Sequence, residues 1–445
     1  MNGYSTQLQK GTYTISKFYN APVVGVDVAA DFSVATVLAP DGSIYKKAFR
    51  FEHDAKGFLY FLEIIKKVEE VFDRPSPVFM ESTGIYHLNL FYFLVSNNVE
   101  TYVVNPLVTN CNKNKEIRKA KNDKSDAFSI AKTGKFENIK TCNMLDVNIF
   151  ELRMLCREYY NLVDERADIK KQLSSILHLC FPGYQNVFSN MTGNTSLAVL
   201  GAYPSPQAIL DADPSELAEL IKTTSRKGLV WATKVYNTLI DTAKDAIKIC
   251  FLSADVATKS FRIMALYDSY TTQINSVKAQ IQAFIQSNRV SDELKNCVEL
   301  LDTIPGIAFM AAITLIAEIG DINAFKKPKQ LVAFFGIDPS VNQSGKFNGT
   351  KNKMSKRGTK IGRKVLYSVV LTSIRNKRNG EPNNPILQEY YKENLEGKPK
   401  KLAFIAIMHK LLKYIFSVLK NQSPFELRDP RVHEKMYLQN NFLVA

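Results

Sequence analysis

Four acidic side chains stand at positions where they could bind a divalent cation. Asp27 lies inside the apolar run VVGVDV, where burying an unpaired carboxylate would be costly. Glu81 ends a short apolar run, and Asp123 and Asp126 stand three residues apart at the start of a predicted helix, which places both on one face. Carboxylate oxygens suit Mg²⁺ or Mn²⁺, and two such ions can stabilise the oxygens of a phosphodiester during transfer. The four carboxylates therefore predict a metal site for phosphodiester chemistry.

Each of these carboxylates also has a purely structural interpretation. Asp123 and Asp126 could be favourable charges in the first turn of a helix, and Glu81 could cap the turn that follows it. Asp27 is the hardest to explain without a site. The histidines, at positions 53, 87, 178, 409 and 433, show no metal-ligand spacing, so packing or surface roles are expected for them.

A second candidate feature is a basic segment near the end of the chain. The formal net charge is +15, and such an excess favours a polyanionic partner, either nucleic acid or a membrane surface. Residues 344–380 contain eleven Lys or Arg, no acid and several glycines, which favours phosphate contact over a solvated charged face. Before them, the IPGI turn (residues 304–307) can present backbone N–H groups to a phosphate. The residues predicted to bind nucleic acid are Lys346, Lys351, Lys353, Lys356, Arg357, Lys360, Arg363 and Lys364.

Residues 23–140 supply the elements that would position the four carboxylates. Alternating apolar stretches predict three strands in a meander, followed by helix, strand, helix, strand and helix. This is the order of a ribonuclease-H-like α/β fold. In that fold Asp27 lies on the first strand, Glu81 on the fourth strand, and the two helix aspartates on a late helix, so all four could converge at one edge of the sheet.

The rest of the chain is predicted to be mainly helical. Two apolar seams with heptad spacing predict a coiled-coil segment that pairs within the chain or with another subunit. Three domains are expected: residues 20–145, 146–297 and 298–425. The first seam contains Leu152, Leu155, Tyr159, Leu162, Arg166, Ile169, Leu173 and Ile176, and the second contains Ile263, Tyr267, Tyr270, Ile274, Val277, Ile281 and Phe284.

The cysteines and the hydropathy narrow the class of protein. The chain has 6 cysteines, far apart and without a CxxC pair, so neither a zinc module nor a disulfide scaffold is indicated. No run reaches the roughly 18 apolar residues of a membrane span, and the first twenty residues lack the apolar stretch of a signal peptide. A reducing, cytoplasmic environment is expected.

The motifs around the four carboxylates resemble those of the DEDD-type insertion-sequence transposases of the IS110 family, relatives of the Piv DNA invertase. The first half carries the motifs GVDVA (25–29), ESTGIY (81–86) and KNDKSDA (121–127). The second half carries, in collinear order, IPGI, FGIDP (335–339), QSGK (343–346) and SKRG (355–358). The resemblance covers roughly residues 23–420, and the ordered set of motifs is more specific than any one of them.

This resemblance implies a RuvC-like nuclease domain, a coiled-coil segment and a C-terminal transposase domain with a nucleophilic serine. Asp27, Glu81, Asp123 and Asp126 would hold Mg²⁺, and Ser344 would attack the DNA phosphate to form a phosphoserine link. The partners would be donor and target DNA, a structured bridge RNA that guides the protein, and further copies of the chain in a homodimer or homotetramer. Ser355 is the alternative nucleophile, although its place before a predicted helix indicates an N-cap.

Two other functions are compatible with parts of this pattern. A metal-dependent nuclease of the Holliday-junction-resolvase type would need the carboxylates but not Ser344. A non-enzymatic assembly protein that binds nucleic acid would need only the basic segment and the helical seams. The carboxylate set argues against the assembly protein, and the QSGK segment with its collinear motifs argues against the nuclease.

Overall fold

The computed structural model describes residues 16–82, 84–104, 123–137, 146–250, 254–339, 343–344, 347–348 and 353–427. The chain divides into two compact units, residues 1–144 and 145–445.

The first unit is built on a five-stranded sheet. Its elements, in chain order, are β1 (Val23–Val28), β2 (Phe32–Leu38), β3 (Ile44–Glu52), α1 (Ala55–Phe72), β4 (Val78–Glu81), α2 (His87–Ser96), β5 (Thr101–Val104) and α3 (Asp123–Phe136). The strand order is β3-β2-β1-β4-β5. The first three strands form an antiparallel meander, and β4 and β5 join β1 in parallel. This is the arrangement of ribonuclease-H-like domains, so the fold class predicted from the sequence is confirmed.

Different helices cover the two faces of this sheet. Val24, Val26 and Val28 of β1 pack in one cluster with α1 and α2. Val23 of β1 shares a separate cluster with Ile130 of α3. Because successive strand residues point to opposite faces, a strand buried on both faces needs the nearly unbroken apolar sequence that β1 has.

The second unit is mainly helical. Its helices are α4 (Val147–Cys180), α5 (Asn194–Ala202), α6 (Pro206–Asp211), α7 (Pro214–Ser225), α8 (Leu229–Ile249), α9 (Ala254–Gln286), α10 (Asp292–Asp302), α11 (Phe309–Ile319), α12 (Pro328–Phe334), α13 (Lys360–Ser373), α14 (Pro385–Asn394) and α15 (Lys400–Asn421). Between α12 and α13 a small antiparallel hairpin pairs β6 (Gln343–Ser344) with β7 (Phe347–Asn348).

The two heptad seams pack against each other inside the chain. Leu162 of α4 lies in one apolar cluster with Ile274 and Val277 of α9, and Leu173 of α4 lies in a second cluster with Ile263 of α9. Of the two pairings that the seams allow, the structure therefore contains the internal one. The cluster around Leu162 also contains side chains of α10 to α15. Residues on both sides of the expected domain boundary at residue 298 therefore share one core, and that boundary stays a prediction.

One helix of the described chain, α15, has the length and hydropathy of a membrane span. Its apolar side chains nevertheless lie in the core of the second unit, where Ile407, Leu411 and Ile415 are fully buried. Packing inside the unit accounts for the hydropathy of this helix.

Candidate active site

Asp27 and Glu81 are neighbours on adjacent strands. The parallel pairing of β1 and β4 ends with Val26 opposite Met80, and Asp27 and Glu81 are the next residues on their strands. Both lie at the carboxyl ends of the strands and, by the alternation of strand side chains, on the face that α3 covers. Glu81 is only 8% exposed and Asp27 is half-buried.

The direction of α3 brings its first turn to the same edge of the sheet. Its last turn is fixed at the opposite edge, because the fully buried Lys135 donates hydrogen bonds of 2.7 Å to the carbonyl oxygens of Tyr19 and Ala21, just before β1. Burial lowers the pKa of Lys135. Since α3 runs antiparallel to β1 and β4, Asp123 and Asp126 in its first turn lie toward the ends that carry the two strand carboxylates.

Gly25 lets α3 lie directly on the backbone of β1. A Cβ atom at this position would lie 2.3 Å from both the Ala127 carbonyl oxygen and the Ala131 nitrogen, and such distances do not occur between real atoms. Ala127 stands one turn after Asp123, so this contact also fixes the height of the helix aspartates above the strands. The local sequence thus places small residues where helix and strand meet, and carboxylates where both reach the edge.

The carboxylates at this edge are donors of the kind that bind a magnesium or manganese ion. Asp27, Glu81 and the half-buried Asp126 offer hard oxygen donors at one edge, and each of the three makes further interactions in the structure. The side chain of Asp123 lies outside the described residues. Among the side chains that are described, no group of three His, Cys, Asp or Glu is placed close enough to hold a metal ion. The structure therefore places Asp27, Glu81 and the first turn of α3 toward one edge of the sheet, and the metal site itself stays a prediction.

Ser344 lies on the small hairpin of the second unit. It ends β6 and pairs with Phe347 of β7. Its side chain, like Gly345 and Lys346, lies outside the described residues, so the position of the hydroxyl stays a prediction.

The interpretation of Ser355 as a helix N-cap is wrong. Helix α13 begins at Lys360, and its cap is Thr359, whose hydroxyl accepts a hydrogen bond of 3.0 Å from the Gly362 N–H. The Ser355 hydroxyl instead donates a hydrogen bond of 2.5 Å to Oδ1 of Asp338. Asp338 belongs to the motif FGIDP, but the sequence pattern did not predict that it binds Ser355.

The predicted nucleic-acid-binding residues fall into two groups among those that are described. Lys353, Lys356, Arg357 and Lys360 are exposed. Arg363 and Lys364 are half-buried and bound inside the unit. The Arg363 guanidinium donates to the carbonyl oxygens of Phe335 and Gly358, both at 3.0 Å, and the Lys364 ammonium donates to Asp164 at 2.6 Å. Lys346 and Lys351 lie outside the described residues.

The IPGI turn packs against α13 and α14. The Pro305 carbonyl oxygen accepts hydrogen bonds from the Ser373 hydroxyl at 3.4 Å and from the buried Asn384 amide at 2.9 Å. Gly306 has a φ of +102°, and a Cβ there would lie 2.2 Å from the Ser373 hydroxyl oxygen. These contacts explain the glycine by packing, and phosphate binding by this turn stays a prediction.

Two histidines whose contacts are described have structural partners. The His53 ring is 2.7 Å from the Ser33 hydroxyl, and burial lowers its pKa. The His409 ring is 2.9 Å from the Ile337 carbonyl oxygen. His433 lies outside the described residues.

Comparison with known proteins identifies the family. A transposase model of the DEDD IS110 group matches residues 24–182, and a model described as the transposase IS116/IS110/IS902 family matches residues 298–392. Together the two models cover more than half of the chain. The chain belongs to the IS110 family of transposases. The family resemblance read from the sequence motifs is thereby confirmed.

Among curated proteins, this IS110-family chain is similar to a gene-inverting protein and to a transposase over about a third of its length. It is 33% identical over 144 residues to the pilin gene-inverting protein of Moraxella bovis, which is 32% of this chain and 42% of that protein. It is 25% identical over 156 residues to the transposase for insertion sequence element IS1111A of Coxiella burnetii, which is 35% of this chain and again 42% of the relative. The chain thus matches less than half the length of either relative.

A solved structure of Thermus thermophilus RuvC in complex with a Holliday junction substrate is also similar. The match covers 26% of this IS110-family chain and 98% of RuvC, with 13% sequence identity and a TM-score of 0.19. The strand order and the helix packed on the sheet, rather than this likeness, establish the fold.

Proposed function

We propose that this IS110-family protein is a DNA transposase or site-specific recombinase that cuts and rejoins DNA. The observation that carries the proposal is the edge of the first sheet, where Asp27 and Glu81 are neighbours and the first turn of α3 supplies Asp123 and Asp126. Carboxylates from two strands and a helix are a donor set that can hold the metal ions of phosphodiester chemistry. The similarity to the pilin gene-inverting protein and to the IS1111A transposase supports DNA as the substrate.

The four carboxylates would hold Mg²⁺ or Mn²⁺, which when bound supplies positive charge to the oxygens of the phosphodiester. The protein's own contribution is the placement of the donors. The pairing of two buried strands fixes the backbone at Asp27 and Glu81, and the contact of α3 with Gly25 fixes the backbone of the helix that carries the two other aspartates.

Ser344 is the proposed nucleophile. Its hydroxyl oxygen would attack the phosphorus of the scissile phosphodiester, forming a phosphoserine ester while the bond to one deoxyribose oxygen breaks. The serine hydroxyl gives up its proton to solvent as it attacks, and the leaving deoxyribose oxygen takes up one proton from solvent and ends as a hydroxyl, so no net proton is gained or lost. The ester keeps the bond available, so attack by a second DNA hydroxyl restores the serine and rejoins the strand. The exposed Lys353, Lys356, Arg357 and Lys360 would contact neighbouring phosphates.

We propose three further properties of this protein. The protein is guided by a structured bridge RNA that pairs with donor and target DNA, as the family resemblance implies. It works as a homodimer or homotetramer, since recombining two duplexes requires several cuts whereas one chain carries one carboxylate set and one proposed nucleophile. It acts in the cytoplasm of a prokaryotic cell, at the nucleoid.

The second candidate function is a resolvase-type nuclease that uses metal-activated water. The carboxylate edge favours it as much as it favours the recombinase, because a nuclease of this type would need the carboxylates and not Ser344. The two functions differ in one product. Only the recombinase forms a covalent link between protein and DNA.

The first experiment tests the carboxylates. Asp27→Asn, Asp126→Asn and Glu81→Gln should abolish Mg²⁺-dependent cleavage of labelled DNA while leaving DNA affinity within about twofold, because one carboxylate contributes little to a polyelectrolyte interface. Asp73→Asn and Glu70→Gln, at exposed positions of the same unit, are the matched controls and should cleave normally. Retained cleavage in the three site variants would exclude the proposed metal site.

The second experiment separates recombinase from nuclease. DNA labelled at one end is incubated with protein and Mg²⁺ and separated by denaturing electrophoresis. The wild-type protein should retain labelled DNA as a covalent adduct, and Ser344→Ala should lose both the adduct and the cleavage. Cleavage that persists in Ser344→Ala, with no adduct in either protein, would establish the nuclease instead.

A further inference from the structure

Two backbone segments of the second unit, residues 335–339 and 354–358, lie side by side at the base of the loop that carries Ser344. We call these two segments the clasp. Pro339 pairs with Met354 in an isolated antiparallel bridge. The Ser355 N–H donates to the Asp338 carbonyl oxygen at 2.9 Å, and the next N–H, of Lys356, donates to the Gly336 carbonyl oxygen at 2.9 Å. The chain therefore enters and leaves the loop through one hydrogen-bonded pair of segments.

Two glycines allow this close approach. Gly336 has a φ of +64°, and a Cβ there would lie within 2.5 to 2.7 Å of the Arg357 backbone. Gly358 has a φ of +145°, and its Cβ would lie 2.1 Å from the Phe334 carbonyl oxygen. Any larger residue at either position would have to separate the backbones. The glycines of the FGIDP and SKRG motifs therefore allow the clasp to form.

One side-chain hydrogen bond ties the two segments together. The Ser355 hydroxyl donates to Asp338 Oδ1 at 2.5 Å, and the same hydroxyl oxygen accepts from the Arg357 N–H at 3.4 Å. A hydrogen bond to a carboxylate is stronger than one between neutral groups. The Ser355 hydroxyl is thus already occupied by a partner within the protein.

Helices α13 and α15 hold the clasp from the outside. The Arg363 guanidinium at the start of α13 donates to Phe335 in one segment and to Gly358 in the other, both at 3.0 Å. The His409 ring of α15 contacts the Ile337 carbonyl oxygen at 2.9 Å. A residue that the charge pattern assigned to DNA is therefore a bridge between the two segments.

We propose that Asp338 and Ser355 are positioning residues, whose hydrogen bond holds the base of the Ser344 loop so that the Ser344 hydroxyl meets the scissile phosphate. This inference rests on the proposed function of Ser344. A nucleophile that shifts by about 1 Å can lose roughly a hundredfold in rate, so a loop nucleophile needs a fixed base. The same arrangement makes Ser355 a support for the reaction and not a second nucleophile.

The catalytic test measures the rate of adduct formation at saturating DNA, together with DNA affinity. Ser355→Ala and Asp338→Asn should slow adduct formation by about tenfold to a hundredfold with affinity changed less than about twofold. Ser355→Thr retains the hydroxyl and should recover most of the rate. Ser368→Ala, at an exposed position of α13, is the control and should react at the wild-type rate. Wild-type rates in Ser355→Ala, or a wild-type adduct located on Ser355, would overturn the inference.

A second test does not depend on catalysis. Amide hydrogen exchange of a peptide covering residues 340–352 should become faster in Ser355→Ala than in the wild type, whereas peptides from α4 and α9 should exchange unchanged. Unchanged exchange in the loop peptide would overturn the clasp. If the wild-type protein forms no adduct at all, the proposed nucleophile fails, and the exchange experiment still decides whether the clasp holds the loop.

Discussion

Gly25 gives the most direct control over the geometry of the carboxylate edge. In Gly25→Ala the new methyl group would lie 2.3 Å from the backbone of α3, whereas ordinary van der Waals contact begins near 3.4 Å. Both atoms that it meets belong to the helix backbone, which cannot rotate away as a side chain can. Helix α3 must therefore move away from β1 by about 1 Å, and it carries Asp123 and Asp126 with it.

A displacement of this size should affect activity more than stability. Overpacking of a buried contact costs about 1 to 3 kcal/mol in the free energy of unfolding, which leaves the protein folded. Misplacing catalytic groups by about 1 Å can cost roughly a hundredfold in rate. We therefore expect Gly25→Ala to unfold at slightly lower urea concentration, to bind DNA normally, and to cleave DNA about a hundredfold more slowly.

The control makes the same chemical change where there is room for it. Gly201, near the end of α5, would meet nothing within 4 Å with an added Cβ, so Gly201→Ala should keep full cleavage and stability. The assay is a single-turnover cleavage time course, with urea denaturation of the same samples. If Gly25→Ala cleaved at the wild-type rate, the contact between α3 and β1 would not determine where the carboxylates act.

Three further predictions concern the second unit. Alanine substitution of Lys353, Lys356, Arg357 and Lys360 together should reduce the slope of log affinity for duplex DNA against log salt by about 3 to 4, whereas alanine substitution of the exposed Lys222, Lys234, Lys244 and Lys248 should leave the slope unchanged. Burial raises the pKa of the Cys156 thiol to about 12 from an unfolded value near 9. Alkylation at pH 8 should therefore label the half-exposed Cys297 before the buried Cys156, which should react only after unfolding. The stability that the Cys156 thiol contributes should be present below about pH 9 and be lost as the pH rises toward 12. Glu318 is 1% exposed and accepts two hydrogen bonds from the Arg157 guanidinium, at 2.7 and 2.9 Å. Glu318→Gln should therefore lower the free energy of unfolding by about 2 kcal/mol. The control Glu219→Gln, whose partner Lys222 is exposed, should lower it by less than about 0.5 kcal/mol.

The sequence was sufficient to predict the strands that carry the carboxylates. Asp27 and Glu81 each interrupt or end an apolar run, and short apolar runs bounded by turn residues are typical of strands buried on both faces. The position of α3 could not be predicted in the same way. It depends on a backbone contact at Gly25 and on the Lys135 ammonium bound to two carbonyl oxygens before β1, and both are contacts between residues about a hundred positions apart.

The basic segment shows why charge counts do not identify partners. Lys360 and Arg363 stand in the same helix turn and contribute equally to the charge of the segment, yet Lys360 is exposed and Arg363 is bound to two backbone carbonyls. The N-cap prediction for Ser355 failed for a related reason. Ser and Thr are both good caps, so the sequence alone did not distinguish Ser355 from Thr359 as the cap of α13. In the structure Ser355 binds Asp338, which lies 17 residues earlier in the chain, and Thr359 caps the helix.

The partner of each heptad seam could not be predicted from the sequence. Spacing alone gives the same prediction for a helix that pairs within the chain and for one that pairs with another subunit. In this protein Leu162 and Leu173 face residues of α9. Charged substitutions at these positions should therefore unfold the second unit, so any interface between copies has to be sought on other surfaces.

The identity of the residue that becomes linked to DNA tests the central proposal most directly. The covalent complex formed with Mg²⁺ is digested with nuclease and trypsin, and the peptide that retains a nucleotide is located by mass spectrometry. Cleavage after lysine places Ser344 in the peptide of residues 330–346, together with Ser340, and places Ser355 in the peptide of residues 354–356, so fragmentation separates all three. We expect the added nucleotide mass on Ser344. A nucleotide on any other residue, or cleaved DNA without a modified peptide, would contradict the account.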